Sequence, residues 1–250
     1  MTTNTTKTVR ELALEVPGAT RVFERLKIDY CCGGGRSVNE ACRAAGVRVD
    51  ELARMLEEAG SKQGDGERDF QKGPLADLIR HILDTHHAYT REESARIQAL
   101  LDKVCSKHGE RHPELLDVAA LFRRLDADLQ PHLFKEEQIL FPHILRLEDA
   151  ASRKSAPPFA PFGNVGNPVR MMMFEHDAAG ELLRELRAAA LDFRAPEDAC
   201  TSFRTLYIAL EDFEKDLHRH IHLENNVLFP RAVELEATLS GNWKAVVGSQ

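Results

Sequence analysis

His132, Glu136 and the run Leu140-Phe141-Pro142 recur 88 residues later as His220, Glu224 and Leu228-Phe229-Pro230. Residues four apart share one face of an α-helix, so each pair projects an imidazole and a carboxylate together. The flanking apolar residues have the same phase. Leu125, Leu129, Ile139 and Leu140 surround the first pair; Phe213, Leu217, Val227 and Leu228 surround the second. A histidine and a glutamate on the buried seam of a helix are costly unless they are paired or bind a metal.

Each pair is preceded by further histidines. His176 lies 44 residues after His132 and 44 before His220, and shares a helix face with Met172, Gly180 and Leu183. The segment "RHILDTHHAYTREE" offers His81, His86 and His87, of which His87 lies 45 residues before His132. The two halves of this region thus match: one histidine, then His-x-x-x-Glu. In an up-down-up-down bundle such equal spacings return the chain to one level of the axis. Four imidazoles and two carboxylates at that level suit a pair of first-row transition metals bridged by the glutamates. The metals make the carboxylates tolerable, and the imidazoles bind as neutral bases. The set is rich in nitrogen and leaves positions open for a small diatomic ligand. Spacing favours His87, but periodicity puts His86 at the centre of its apolar stripe and His87 about 100° away. Both stay candidates on this ground.

The elements that must hold these residues are helical. From Pro74 an apolar stripe runs through Leu75, Leu78, Ile79, Ile82 and Leu83 and continues at Ile97, Leu101 and Val104. A second helix is expected from about 113 to 146, a third from near Pro168, whose ring suits a first turn, and a fourth from about 196 to 239. The segment 149–168 carries four prolines and cannot be continuous helix. Strand patterns are absent. The expectation is an all-α chain: a small N-terminal helical domain (1–60), a linker (61–73) rich in glycine, and an antiparallel four-helix bundle (74–240). In the first of these, "TVRELALEV", "ATRVFERLK", "SVNEACRAAG" and "VDELARMLEEAG" read as short helices, the third opened by a Ser37–Glu40 capping box.

Composition narrows the classes. The chain has 250 residues and a net charge of −7, with basic residues scattered, which argues against nucleic acid as a partner. No stretch of 18 apolar residues suggests a membrane span, and the start lacks the apolar core of a secretory signal. The expected compartment is the cytoplasm. Five sparse cysteines fit a reducing environment and not a disulfide framework; Cys105 and Cys200 read as core or surface thiols. Cys31 and Cys32 differ. They stand before Gly33, Gly34 and Gly35, which allow an irregular path, and shortly before a helix N-terminus at Ser37, with Arg36 adjacent. That setting is expected to lower a thiol's pKa. Such a pair can take iron, accept a nitrosyl group or form a vicinal disulfide, but cannot alone complete a four-ligand zinc site. Glu175, before His176, is placed for a proton or ion path. Glu137 reads as solvated, "MMMF" at 171–174 as core packing, and His81, His108, His112, His143 and His218 as structural or surface residues.

"IDYCCGGG", followed by "HLFKEEQILFP", "EHDAAGELL" and "HIHLENNVLFP", resembles the repair-of-iron-centres family, the YtfE/ScdA-like hemerythrin-type di-iron proteins. The resemblance covers nearly the whole chain. It implies the ligands His87, His132, Glu136, His176, His220 and Glu224, two non-haem iron ions, and roles for Cys31 and Cys32 in thiol transfer of iron or NO. It further implies a response to nitrosative or oxidative stress in which damaged iron–sulfur proteins are the clients and nitric oxide or O2 the small ligand. A homodimer is an allowed assembly. Iron donation and NO binding are both open on this reading. An NO or O2 store or sensor, and a di-iron oxidoreductase acting on NO or nitrite, are the alternatives.

Overall fold

The computed structural model describes residues 7–61 and 70–247, and among them every regular element is helical. Most of the expected linker, 62–69, lies outside the described residues. By internal contacts the chain divides into two units, Met1–Gly73 with His218–Pro230, and Pro74–Leu217 with Arg231–Gln250.

The first unit contains α1 (Val9–Glu15), α2 (Ala19–Leu26), α3 (Val38–Ala45) and α4 (Val49–Ser61). Two capping boxes start α1 and α3: Thr8 with Glu11, and Ser37 with Glu40. Gly46 ends α3 in the left-handed region at φ 67°, where a side chain would be strained. Val9, Phe23, Tyr30, Val38, Cys42, Leu52 and Leu56 pack as one small core. The segment 218–230 joins this unit through Arg219, which grips the Glu24 carboxylate with two bonds of 3.0 and 2.9 Å. Asn226 donates to the Tyr30 carbonyl at 3.0 Å.

The second unit is built of long rods. The first joins α5 (Leu75–His81), a π-helical turn (Ile82–His87) and α6 (Ala88–His108). The second joins α7 (Glu114–Lys135), a π turn (Glu136–Leu140) and α8 (Phe141–Arg153); it runs past the expected end near 146 and stops at Lys154, in the left-handed conformation. The third is α9 (Gly166–Ala189), with Pro168 in its first turn. The fourth joins α10 (Thr201–Leu223), a π turn (Glu224–Leu228) and α11 (Phe229–Val247), its stretch 218–230 counting with the first unit; it starts later and ends later than periodicity suggested.

Cross-ties fix the rods antiparallel to their neighbours. Glu148 accepts the Leu75 and Ala76 N–H groups at 2.5 and 2.9 Å, while the Cys105 thiol reaches the Leu115 carbonyl at 3.5 Å. Between the first and fourth rods, Tyr89 stacks near Phe213, and the His108 ring lies tilted against Phe203. Glu236 accepts the Val165 N–H at 2.8 Å, and Arg187 forks onto Glu214. Glu214 is 5% exposed, so this pair lies largely out of water, where losing one partner strands the other's charge. Phe122, Leu125, Ile97, Leu101, Leu183 and Leu210 fill the interior. Of the apolar residues expected there, Ile139 is 46% exposed; it lies inside a π turn, whose extra residue rotates it outward. In "MMMF" Met172 is buried, whereas Met171 and Phe174 face outward.

Candidate metal centre

Three of the four rods are α-helical except at one turn, and that turn carries or begins with a candidate ligand. Ala88 donates to the carbonyl of Leu83, Phe141 to Glu136 and Phe229 to Glu224, all i to i−5. Each such bond admits one residue more than an α turn holds. The repeated Leu-Phe-Pro follows from this in the second and fourth rods. The phenylalanine N–H closes the wide turn on the glutamate's own carbonyl, and the proline after it has no N–H to offer the α-type partner.

The widened turn also settles the phase in the first rod. One additional residue advances an α-helix by about 100°. Beyond it, His87 occupies the direction that His86 would hold in an uninterrupted helix. His87 is fully buried, with Nε2 3.5 Å from Glu136 Oε2. His86 turns away and places Nδ1 3.0 Å from Asp216 Oδ1.

Glu136, with no solvent exposure, presents its two oxygens to two imidazoles: Oε2 to His87, and Oε1 to His132 Nε2 at 3.4 Å. His132 Nε2 lies 3.0 Å from His176 Nε2. On the fourth rod His220 Nε2 lies 3.1 Å from Glu224 Oε1, one turn on. Ligand atoms of His87, Glu136, His220 and Glu224 fall within 4.8 Å of one another, as do those of His132, Glu136, His176 and Glu224. The two groups share both glutamates.

The donor chemistry fits cations. His132 Nδ1 is 2.8 Å from Glu175 Oε2, and His87 Nδ1 is 2.8 Å from Glu137 Oε1. Each carboxylate holds the imidazole proton on Nδ1, leaving the Nε2 lone pair directed at the cluster. The close approach of His132 and His176 through Nε2 then needs a proton or a metal between them. Two buried carboxylates without a cation would cost several kcal/mol each.

Glu175 is held down to about 2 by the hydrogen bond from His132, and also by an ion pair with Lys135. Burial works on Glu137 in the opposite sense, but its bonds from His87 and Arg91 keep it below the usual carboxylate range. Glu137 is thus not the solvated residue its position beside Glu136 suggested; one step of 100° turns it from the cluster to the next rod. A cavity of about 210 Å³, lined by Asp128, Lys135, Phe174 and Glu175, reaches His132 and His176.

Cys31 and Cys32 stand in the first unit with Sγ atoms 3.8 Å apart, and Cys31 Sγ lies 3.4 Å from Asp29 Oδ1. Asp29, Cys31 and Cys32 form a third group with ligand atoms within 4.8 Å. Cys31 is buried, and its thiol is pushed well above the ordinary value by its bond to Cys32, by burial and by the Asp29 charge. This corrects the expectation of a lowered pKa. The α3 N-terminus is already capped by Ser37 and Glu40, and Arg36 is exposed, so neither supplies the positive field that was expected. Close approach, and not positive φ, explains one glycine: a Cβ on Gly34 would stand 2.6 Å from the Tyr30 carbonyl oxygen. His222 faces away from the cluster and accepts from Asn226 at 2.8 Å; burial lowers it to about 4. Sequence reasoning did not single out Asp29 or Asn226, and missed the π turns.

Residues 78–232 match the Hemerythrin HHE cation binding domain, and residues 5–60 match a Domain of Unknown function (DUF542). A probable iron-sulfur cluster repair protein from Haemophilus influenzae is 34% identical over 224 residues, covering 89% of this chain and 95% of its own length. The iron-sulfur cluster repair proteins YtfE of Pectobacterium carotovorum and Yersinia pseudotuberculosis are each 35% identical, over 229 and 225 residues, covering 90% of this chain and 96% of theirs.

Proposed function

Since the chain belongs to the iron–sulfur cluster repair family with a hemerythrin-type cation-binding domain, we propose that it restores iron–sulfur clusters damaged by nitric oxide or oxidative stress. In this reading His87, His132, Glu136, His176, His220 and Glu224 would hold two iron ions. The observation that carries it is Glu136, whose two oxygens each face a different imidazole at 3.5 and 3.4 Å in a solvent-free interior. When bound, the irons supply transferable metal and positions for a small ligand such as NO or O2.

The chain's own groups do the rest. Glu137 and Glu175 hold protons on the Nδ1 atoms of His87 and His132, so that Nε2 remains a base. The cavity beside Phe174 and Glu175 gives small ligands a way to His132 and His176. Lys135 keeps Glu175 charged at its mouth. Asp29, Cys31 and Cys32 are a receiving site: an incoming cation displaces the thiol protons and finds three donors together. Repair by iron donation then uses these thiols as a way station. The setting is the cytoplasm. Among the described residues no helix is long and apolar enough to cross a membrane.

The test is iron per chain after anaerobic purification, in wild type and in the double variant Glu136→Ala/Glu224→Ala, with loss to a ferrous chelator followed in the same samples. About two irons in wild type and far fewer in the variant are expected. Fast ferrous loss, slowed in Cys31→Ser/Cys32→Ser, supports donation. Slow loss in every sample favours a store, sensor or redox enzyme for NO or O2. Zinc in place of iron in wild type, lost in the Glu136→Ala/Glu224→Ala variant, or unchanged iron in that variant, overturns the di-iron assignment.

A further inference from the structure

Chemistry-bearing side chains gather a second time 21 residues beyond His87 along the first rod, about 30 Å at 1.5 Å per residue. There α6 ends at His108, and the His112 N–H donates to the His108 carbonyl at 2.9 Å. The two imidazoles therefore stand one turn apart, with centroids separated by 6.3 Å. Both lean on the buried ring of Phe203, at 5.5 and 5.4 Å. Facing them is the short loop before α10. Cys200 Sγ lies 3.2 Å from His108 Nε2, and Asp198 Oδ1 lies 3.2 Å from His112 Nε2. Arg204 fixes this loop by donating to the carbonyls of Ala199 and Glu197 at 3.1 and 2.9 Å.

We propose that His108, His112, Asp198 and Cys200 form a second metal site, distinct from the rod-interior cluster, that takes a divalent cation of the zinc class. Two imidazoles, a thiolate and a carboxylate are a zinc donor set, and the sulfur disfavours magnesium and calcium. Ligands bound 2.0–2.3 Å from a tetrahedral ion stand about 3.3–3.8 Å apart; the His108–Cys200 and His112–Asp198 pairs are already near that separation, and an ion has to draw the two pairs together. Glu114 accepts from His112 Nδ1 at 3.1 Å, which holds the ring with Nε2 toward Asp198. Between two carboxylates the ring carries a proton on Nε2 toward Asp198, and a bound cation takes that proton's place, the proton passing to solvent. On binding, the Cys200 thiol gives up its proton to solvent and the sulfur takes the metal. With a sulfur ligand and no shared carboxylate, the site prefers zinc to ferrous iron in the general order of divalent affinities. Cys200 is exposed, so the ion exchanges with solvent. Its structural effect is to clip the α6–α7 turn to the start of α10.

The experiment uses the iron-loaded full chain with Cys31 and Cys32 both replaced by serine, which removes the other thiols able to bind the probe, under anaerobic conditions. Cobalt(II) is added as a probe, and the near-ultraviolet sulfur-to-cobalt charge-transfer band is titrated and then displaced with zinc. One equivalent per chain is expected, with zinc displacing it. The band should vanish in Cys200→Ser, and affinity should fall about tenfold or more in His112→Ala. Iron content measured on the same samples should stay at the wild-type level, which shows that both variants are folded and that cobalt has not entered the other cluster. Absence of a sulfur band, or equal cobalt binding in Cys200→Ser, overturns the site.

Discussion

Two neighbouring histidines show what one side chain's direction decides. His86 and His87 differ by one step of the helix, yet the first pairs with Asp216 and the second faces Glu136. The wheel favoured His86 because it assumes an unbroken 3.6-residue period. Glu137 was misplaced for a related reason: its partner, His87, comes from another rod, and no local pattern encodes that meeting. The repeated His-x-x-x-Glu pairs, by contrast, were legible because both members lie on one helix. Replacing Glu137 by alanine removes the group that orients His87 without touching a ligand. Metal affinity should fall by about 10- to 100-fold, read as faster ferrous loss to a chelator with an unchanged circular dichroism spectrum. Wild-type retention would show that His87 is oriented by packing alone.

The helices were legible as elements from their apolar periodicity, whereas their π turns were not, since propensity says nothing of an i to i−5 bond. The signal was nevertheless present in Leu-Phe-Pro. Pro142 stands where an N–H would bond the Gln138 carbonyl, and Phe141 instead reaches back to Glu136. The first rod achieves the same widening with Ala88 as the donor and Tyr89 in the place of the proline, so proline favours the turn without being required for it. Pro142→Ala supplies the missing N–H and lets the turn tighten toward α, rotating Glu136 relative to the buried Phe141 and Ile144. Iron per chain should drop, while the thermal midpoint of the metal-free protein should hold or rise, because a helix-interior proline has been removed. A lower midpoint with full iron would show the reverse dependence.

Across the whole molecule, stability also depends on buried polar groups that are not among the candidate ligands. His143 is fully buried, 3.5 Å from Glu236, whose other oxygen caps the start of the third rod at Val165. Burial pushes the imidazole below its ordinary 6.5, and Glu236 offsets this only in part. The unfolded chain therefore takes up a proton first. Stability is lost as pH falls through about 6.5 and levels off once the lower folded value is passed. In His143→Phe, urea unfolding of the metal-free protein should lose this part of its pH dependence; an unchanged profile would assign the acid sensitivity elsewhere. Such pairings tie distant stretches of chain, which is why the sequence showed His143 only as a histidine of no special role. The grouping of 218–230 with the N-terminal helices was hidden for the same reason. The connection between the second and third rods carries one more consequence. It leaves His87, His132 and Glu136 on its N-terminal side and His176, His220 and Glu224 on the other, two imidazoles and one carboxylate each. On the proposed assignment each hairpin brings half of the ligands, so one hairpin should not hold the ions without the other. This is the arrangement that duplication and fusion of a self-associating ancestor would leave. A backbone cut in that connection should accordingly yield fragments that reassemble when metal is supplied.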